Sequence, residues 1–153
     1  MHLIRRFFGH MLARPLGPRD QRFAHDHLEG RCAELFWAQS DPDQRHAIDV
    51  ARRVDVVLPG DEEAIRAALL HDVGKSGLGI GALSRSLATI LDAVNLPMTR
   101  RMRQYRDHGA GGAVALEEAG CGALVVAFAR YHPAPTPNGI APERWQALVD
   151  ADG

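Results

Sequence analysis

The sequence predicts an all-α fold, a single-domain helical bundle. Apolar residues recur at three- and four-residue steps nearly throughout, and no alternating apolar/polar run marks a strand. Helix start and stop signals divide the apolar stretches at short intervals. With 153 residues, 46% of them hydrophobic, the chain is suited to one domain around one core.

Met1 to Leu16 alternates Leu3, Ile4, Phe7, Phe8, Met11 and Leu12 with Arg5, Arg6 and Arg14. A basic amphipathic helix at a membrane surface is one reading; a docking or dimer-forming helix, or a frayed terminus, is the other. The stretch lacks the continuous apolar core and cleavage site of a secretory signal. Arg19 to Trp37 carries Phe23, Leu28, Leu35, Phe36 and Trp37 at helical spacing, softened at Gly30 and ending near Ser40. These first 40 residues form a helical extension, and residues 41–153 form the main domain.

Asp41-Pro42 reads as an N-cap followed by proline at the first helical position. Ala47, Val50, Ala51, Val54 and Val57 then mark one helix face, with His46 in its first turns. Pro59-Gly60 stops that helix and Asp61 caps the next, whose stripe of Ile65, Ala68 and Leu69 ends at His71-Asp72. Gly74 to Gly81 is a glycine-rich loop without the phosphate-cradling P-loop pattern. Leu83, Leu87, Ile90, Leu91 and Val94 restore helical spacing up to Pro97. Met98 to Glu118 is expected to be helical with an irregularity at Gly109 to Gly112, and Gly120 punctuates. Ala123 to Tyr131 is apolar enough for a central helix, and its last turn delivers His132. Pro133 to Pro142 is a loop, and Glu143 to Asp152 a final helix.

The 24% of charged residues and the formal net charge of -1 give no reason to expect nucleic-acid binding. No apolar run approaches the length of a membrane span. Cys32 and Cys121 are too few and too isolated for a disulfide framework or a thiolate zinc site, and a cytoplasmic location follows as the simple expectation.

The chemistry-bearing residues are His46, the adjacent pair His71-Asp72, His108, His132 and Asp152. Each taken alone is more often a hydrogen-bonded or solvated side chain than a ligand. Together they offer imidazole nitrogens and carboxylate oxygens, a mix suited to Mn or Fe, with Mg, Co, Ni or Zn also compatible. His46, His71, Asp72 and Asp152 could hold one divalent ion, and His108 and His132 could help hold a second with Asp72 shared. Two adjacent ions lower the pKa of a bridging water and clamp a phosphoryl group. Lys75, the only lysine among the 18 Lys+Arg residues, stands a turn from Asp72 as a compact cation for a phosphate. His2, His10, His25 and His27 have no such context and read as surface residues. Arg100, Arg101, Arg103 and Arg106 form a basic run, read as a solvated face or as a rim for an anionic substrate. Trp37, Tyr105 and Trp145 are read as core or edge packing.

The run Leu69-Leu70-His71-Asp72-Val73-Gly74-Lys75, with His46 before it and Leu148-Val149-Asp150-Ala151-Asp152 after it, resembles the HD-domain superfamily of metal-dependent phosphohydrolases. The resemblance spans roughly Asp41 to Asp152. His108-Gly109-Ala110-Gly111-Gly112 and His132 are similar to the segments that supply extra histidines in two-metal members. The closing run looks like the family's ending, which implies Asp152 rather than Asp150 as ligand. Membership implies an all-α fold and hydrolysis of a phosphate ester or diester, on a nucleotide-like small molecule, through a metal-activated water, with Asp72 and Lys75 catalytic. Where HD-GYP phosphodiesterases have a His-His-Glu run this chain has Tyr131-His132-Pro133, and the segment Pro135 to Ile140 only faintly echoes their Gly-Tyr-Pro, which argues against a cyclic dinucleotide. The alternative is a non-catalytic HD-fold module that binds a metal or nucleotide and regulates a partner.

Overall fold

The longest run of consecutive buried residues, Ala67 to Val73, passes through His71 and Asp72, and α-helices build the core around it. A computed structural model describes residues 15–75, 108–132 and 134–153, except the side chain of His108. The described residues form α1 (Pro18–His27), α2 (Gly30–Trp37), α3 (Asp41–Val57), α4 (Glu62–Leu70), a 3-10 turn (Val73–Lys75), α5 (His108–Glu118), α6 (Ala123–Tyr131) and α7 (Pro142–Asp152), with no strand among them. The fold is all-α, as the periodicity predicts. The amphipathic stretch at residues 1–14, the loop and helix expected between Ser76 and Pro97, and the basic run with Tyr105 lie outside the described residues.

The helix ends follow local chemistry. Arg19 to Trp37 is two helices rather than one softened helix, because the chain turns extended at Leu28 and Gly30 adopts φ 53. That backbone conformation suits glycine, which has no Cβ to clash. The N-cap of α3 is Ser40, one residue before the expected Asp41; its Oγ accepts from the Asp43 amide at 3.4 Å. Asp61 caps α4 as expected, accepting from the Ala64 amide at 3.1 Å.

α4 is the hub. Ala64, Ile65, Ala67, Ala68, Leu69 and Leu70 are all buried, so the helix is apolar nearly all round and is enclosed by its neighbours. It packs against α1, α2, α3, α6 and α7. Its alanines let α3 approach with Ala47, Val50, Ala51 and Val54. Leu16, Ala24, Leu28 and Phe36 join the same core, so residues 15–40 share it with the later helices. Phe128 and Trp145 stack edge-on at 5.2 Å behind α6 and α7, and the Trp145 indole donates to the Ala134 carbonyl at 3.0 Å. Trp145 is therefore a core residue, and Trp37 lies half-buried against His25.

The glycines of α5 are a packing device rather than an irregularity. A Cβ on Gly112 would lie 2.8 Å from the Gly74 amide nitrogen, and one on Gly109 would lie 2.7 Å from the Ala129 carbonyl oxygen. Their absence of a side chain lets α5 seat its backbone directly on the 3-10 turn and on α6.

The reading of the cysteines needs correction. Cys32 and Cys121, isolated in sequence, are joined in a disulfide that ties α2 to the turn before α6. Disulfides persist in oxidising surroundings, so the cysteine pattern gives no support to a reducing cytoplasm. Among the described residues, no helix is long and apolar enough to cross a membrane.

Candidate metal centre

Three helices end at one place. The C-termini of α4, α6 and α7 carry His71, His132 and Asp152, and Asp72 follows His71 directly. Their N-termini are tied together as well. Arg144, in the first turn of α7, donates to both carboxylate oxygens of Asp61 at 2.7 and 2.6 Å and to Glu63 at 3.2 Å. The other Glu63 oxygen accepts from the Leu124 amide at 3.1 Å and so caps α6 from a different helix. α6 has no side-chain cap of its own, since its N-cap residue is Gly122, where a Cβ would meet Glu63 at 2.7 Å. The three helices thus start from one charged clamp and run alongside one another to one shared end. Each helix C-terminus carries about half a negative charge, so their convergence creates a field that favours a cation.

His71 is 1% exposed and Asp72 2%. The Nδ1–H of His71 donates to the Ala68 carbonyl at 2.7 Å, which fixes the ring and leaves Nε2 as a lone pair. That Nε2 lies 3.4 Å from Asp72 Oδ2 and 3.3 Å from Asp152 Oδ1, yet is buried and has no hydrogen-bond partner among the described residues. His132 repeats the arrangement: its Nδ1–H donates to the Phe128 carbonyl at 2.7 Å, leaving Nε2 available. Ligating histidines are held this way, by a backbone carbonyl on the ring nitrogen away from the metal. His46 arrives from α3 with Nε2 2.9 Å from Asp152 Oδ1. The His71 ring centroid lies 5.3 Å from that of His46 and 5.2 Å from that of His132.

Two triads result, His46 with His71 and Asp72, and His71 with His132 and Asp152, the ligand atoms of each within 4.8 Å of one another. The structure therefore brings together five of the six residues singled out from the sequence. The sixth, His108, is the first described residue of α5, and its side chain lies outside the described residues. Lys75, at the end of the 3-10 turn, donates to Asp72 Oδ2. His27, read from sequence as a surface residue, is half-buried and pairs with Glu62 at 2.8 Å, in the first turn of α4 rather than at its histidine-bearing end.

The electrostatics are those of a coupled site. Burial opposes charge on His71, but the carboxylates of Asp72 and Asp152 outweigh it and raise its pKa. Burial and the neighbouring His71 both depress His132. Burial pushes the Asp152 carboxyl up, but the His46 and His71 rings reverse this and hold it far below the usual carboxylate range. Three imidazoles and two carboxylates, with no thiolate, form a donor set of nitrogen and oxygen for a borderline or hard divalent ion. The buried Nε2 of His71 fits such an ion, because a bound cation would satisfy a polar atom that has no hydrogen-bond partner among the described residues.

Arg53, Glu63 and Arg144 carried no signal in the sequence, and Asp61 carried one only as a helix cap. All are common surface residue types whose partners lie on other helices. No protein-family model matches the chain, and no curated protein or solved structure matches it either.

Proposed function

We propose that the protein is a metal-dependent phosphohydrolase of the HD-domain kind its motifs resemble, acting on a phosphate ester or diester of a nucleotide-like small molecule. The observation that carries this reading is the convergence of His46, His71, Asp72, His132 and Asp152 around the buried Nε2 of His71, which has no hydrogen-bond partner among the described residues. His46, His71, Asp72 and Asp152 would hold one divalent ion, manganese or iron by donor type, and His132 with His108 would serve a second. When bound, such ions act as Lewis acids that neutralise phosphate charge and lower the pKa of water.

The chain's own residues supply orientation and charge. Ala68 and Phe128 lend carbonyls that fix the His71 and His132 tautomers. Lys75 balances the Asp72 carboxylate and stands at the rim of the turn, where an ammonium can meet a phosphate oxygen. Its side chain is 18% exposed against 2% for Asp72, so it connects the buried pair to solvent.

The test is metal content by elemental analysis on untagged protein loaded with manganese, followed by turnover of p-nitrophenyl phosphate and bis-p-nitrophenyl phosphate. One or two ions per chain and metal-dependent turnover are expected, with both lost in His71→Ala. Absence of bound metal after loading refutes the reading. Metal without turnover of any phosphoester in a broad panel would assign a binding module instead.

A further inference from the structure

We propose that Arg53 is a positioning residue for Asp152, acting through the backbone of α7 rather than through the carboxylate. The proposal rests on the metal-site reading above. Asp152 is the last residue of α7. The last carbonyls of a helix lack intrahelical partners. One of them, on the buried residue Ala151, accepts from the Arg53 guanidinium at 2.7 Å.

Arg53 stands on α3 two turns after His46, the spacing that places both on one helix face. α3 therefore grips the end of α7 at two points. His46 meets the Asp152 carboxylate at 2.9 Å, and Arg53 meets the carbonyl of the residue before it. Two contacts on one rigid helix limit both the position and the rotation of the terminal residue, where one would leave it a pivot. A guanidinium at a helix C-terminus is also electrostatically favourable. Because it bonds the carbonyl, it leaves Asp152 free to accept from His46 and to face His71.

The preceding residue shows that this is not a generic property of α3 arginines. Arg52 turns the other way, donating to Asp20 at 2.8 Å and lying 4.6 Å over the Phe23 ring. It serves as the internal control.

The experiment is a manganese chloride titration followed by the EPR signal of free Mn2+, on wild type, Arg53→Met, Arg53→Lys and Arg52→Met, with melting temperatures for all four. Loss of an outer partner of a ligand weakens metal affinity about tenfold or more. Arg53→Met should show about this tenfold loss, Arg53→Lys should recover most of it, and Arg52→Met should bind as wild type even where its melting temperature falls. The visible spectrum of the cobalt-loaded Arg53→Met protein should shift in the direction of Asp152→Asn. Unchanged manganese affinity in Arg53→Met overturns the positioning role, as does an equal loss in Arg52→Met, which would mark general destabilisation. A wild-type protein that takes up no manganese overturns the metal reading, and this inference with it.

Discussion

Glu63 and Leu124 define how the site is held at a distance. The Glu63 carboxylate in the first turn of α4 accepts the Leu124 amide at the start of α6, and its other oxygen accepts from Arg144 of α7. The opposite ends of these three helices carry His71, His132 and Asp152. One carboxylate in the first turn of α4 thus joins the starts of three helices whose far ends carry candidate ligands.

Truncating this clamp should loosen the bundle without touching a ligand. Glu63→Ala leaves an amide donor of α6 uncapped and removes one partner of Arg144. A stability loss of about 1–2 kcal/mol is expected, seen as a fall of about 2–8 °C in melting temperature. Glu63→Gln, which can still accept from Leu124, should recover part of it. Equal melting temperatures for Glu63→Ala and wild type would show that the tertiary cap carries no weight.

Asp61 carries a pH signature. Hydrogen bonds from Arg144 hold its carboxyl below the usual value of 3.8. A depressed folded-state pKa contributes stability that is present above the unfolded value and is lost as pH falls through the folded one. Asp61→Asn keeps a good N-cap but removes the charge facing Arg144, so it isolates the ion pair. Its deficit in denaturant unfolding should be about 1 kcal/mol at neutral pH, and should shrink once the pH drops below about 3.8. A deficit that stays constant from pH 7 to pH 2 would count against the assignment.

The glycines of α5 make opposite predictions for neighbouring positions. Gly112→Ala pushes a methyl into the Gly74 backbone and should cost about 1–3 kcal/mol. Gly111 is exposed, and a Cβ there would meet nothing within 4 Å. Gly111→Ala should therefore stabilise by about 0.5–1 kcal/mol, through helix propensity alone. Thermal melts of the two variants decide the matter, and a shift of the same sign in both would contradict the packing argument.

The disulfide predicts a chemical count. Native protein should expose no thiol to a colorimetric thiol reagent in denaturant, and two per chain after reduction. Because the bond closes a long loop, with partners 89 positions apart, reduction or Cys32→Ser with Cys121→Ser should cost about 2–5 kcal/mol. Two free thiols in protein prepared without reductant would remove the linkage from the account.

Much of this molecule could be read from the chain itself. Local signals decide helix content, since apolar spacing, caps and glycine stops act within a few residues. So Asp61, Gly120 and the helix over residues 123–131 stand where the pattern puts them. The candidate ligands were legible for a different reason: His71-Asp72 adjacent to Val73-Gly74-Lys75 is a rare combination, and the other histidines and Asp152 fall in order around it. What local pattern could not decide was anything that depends on two distant segments meeting. The sequence spacing of Cys32 and Cys121 suggested isolation, yet the fold closes them into one bond. Gly109 to Gly112 read as an irregularity within a helix, because the value of Gly109 and Gly112 lies in the backbone that approaches them. Arg53 and Glu63 were ordinary surface charges until the tertiary structure gave them a carbonyl and an amide on other helices. Helix formation is a short-range balance of propensity and burial, whereas pairing and positioning depend on packing that brings distant residues to within a few ångströms.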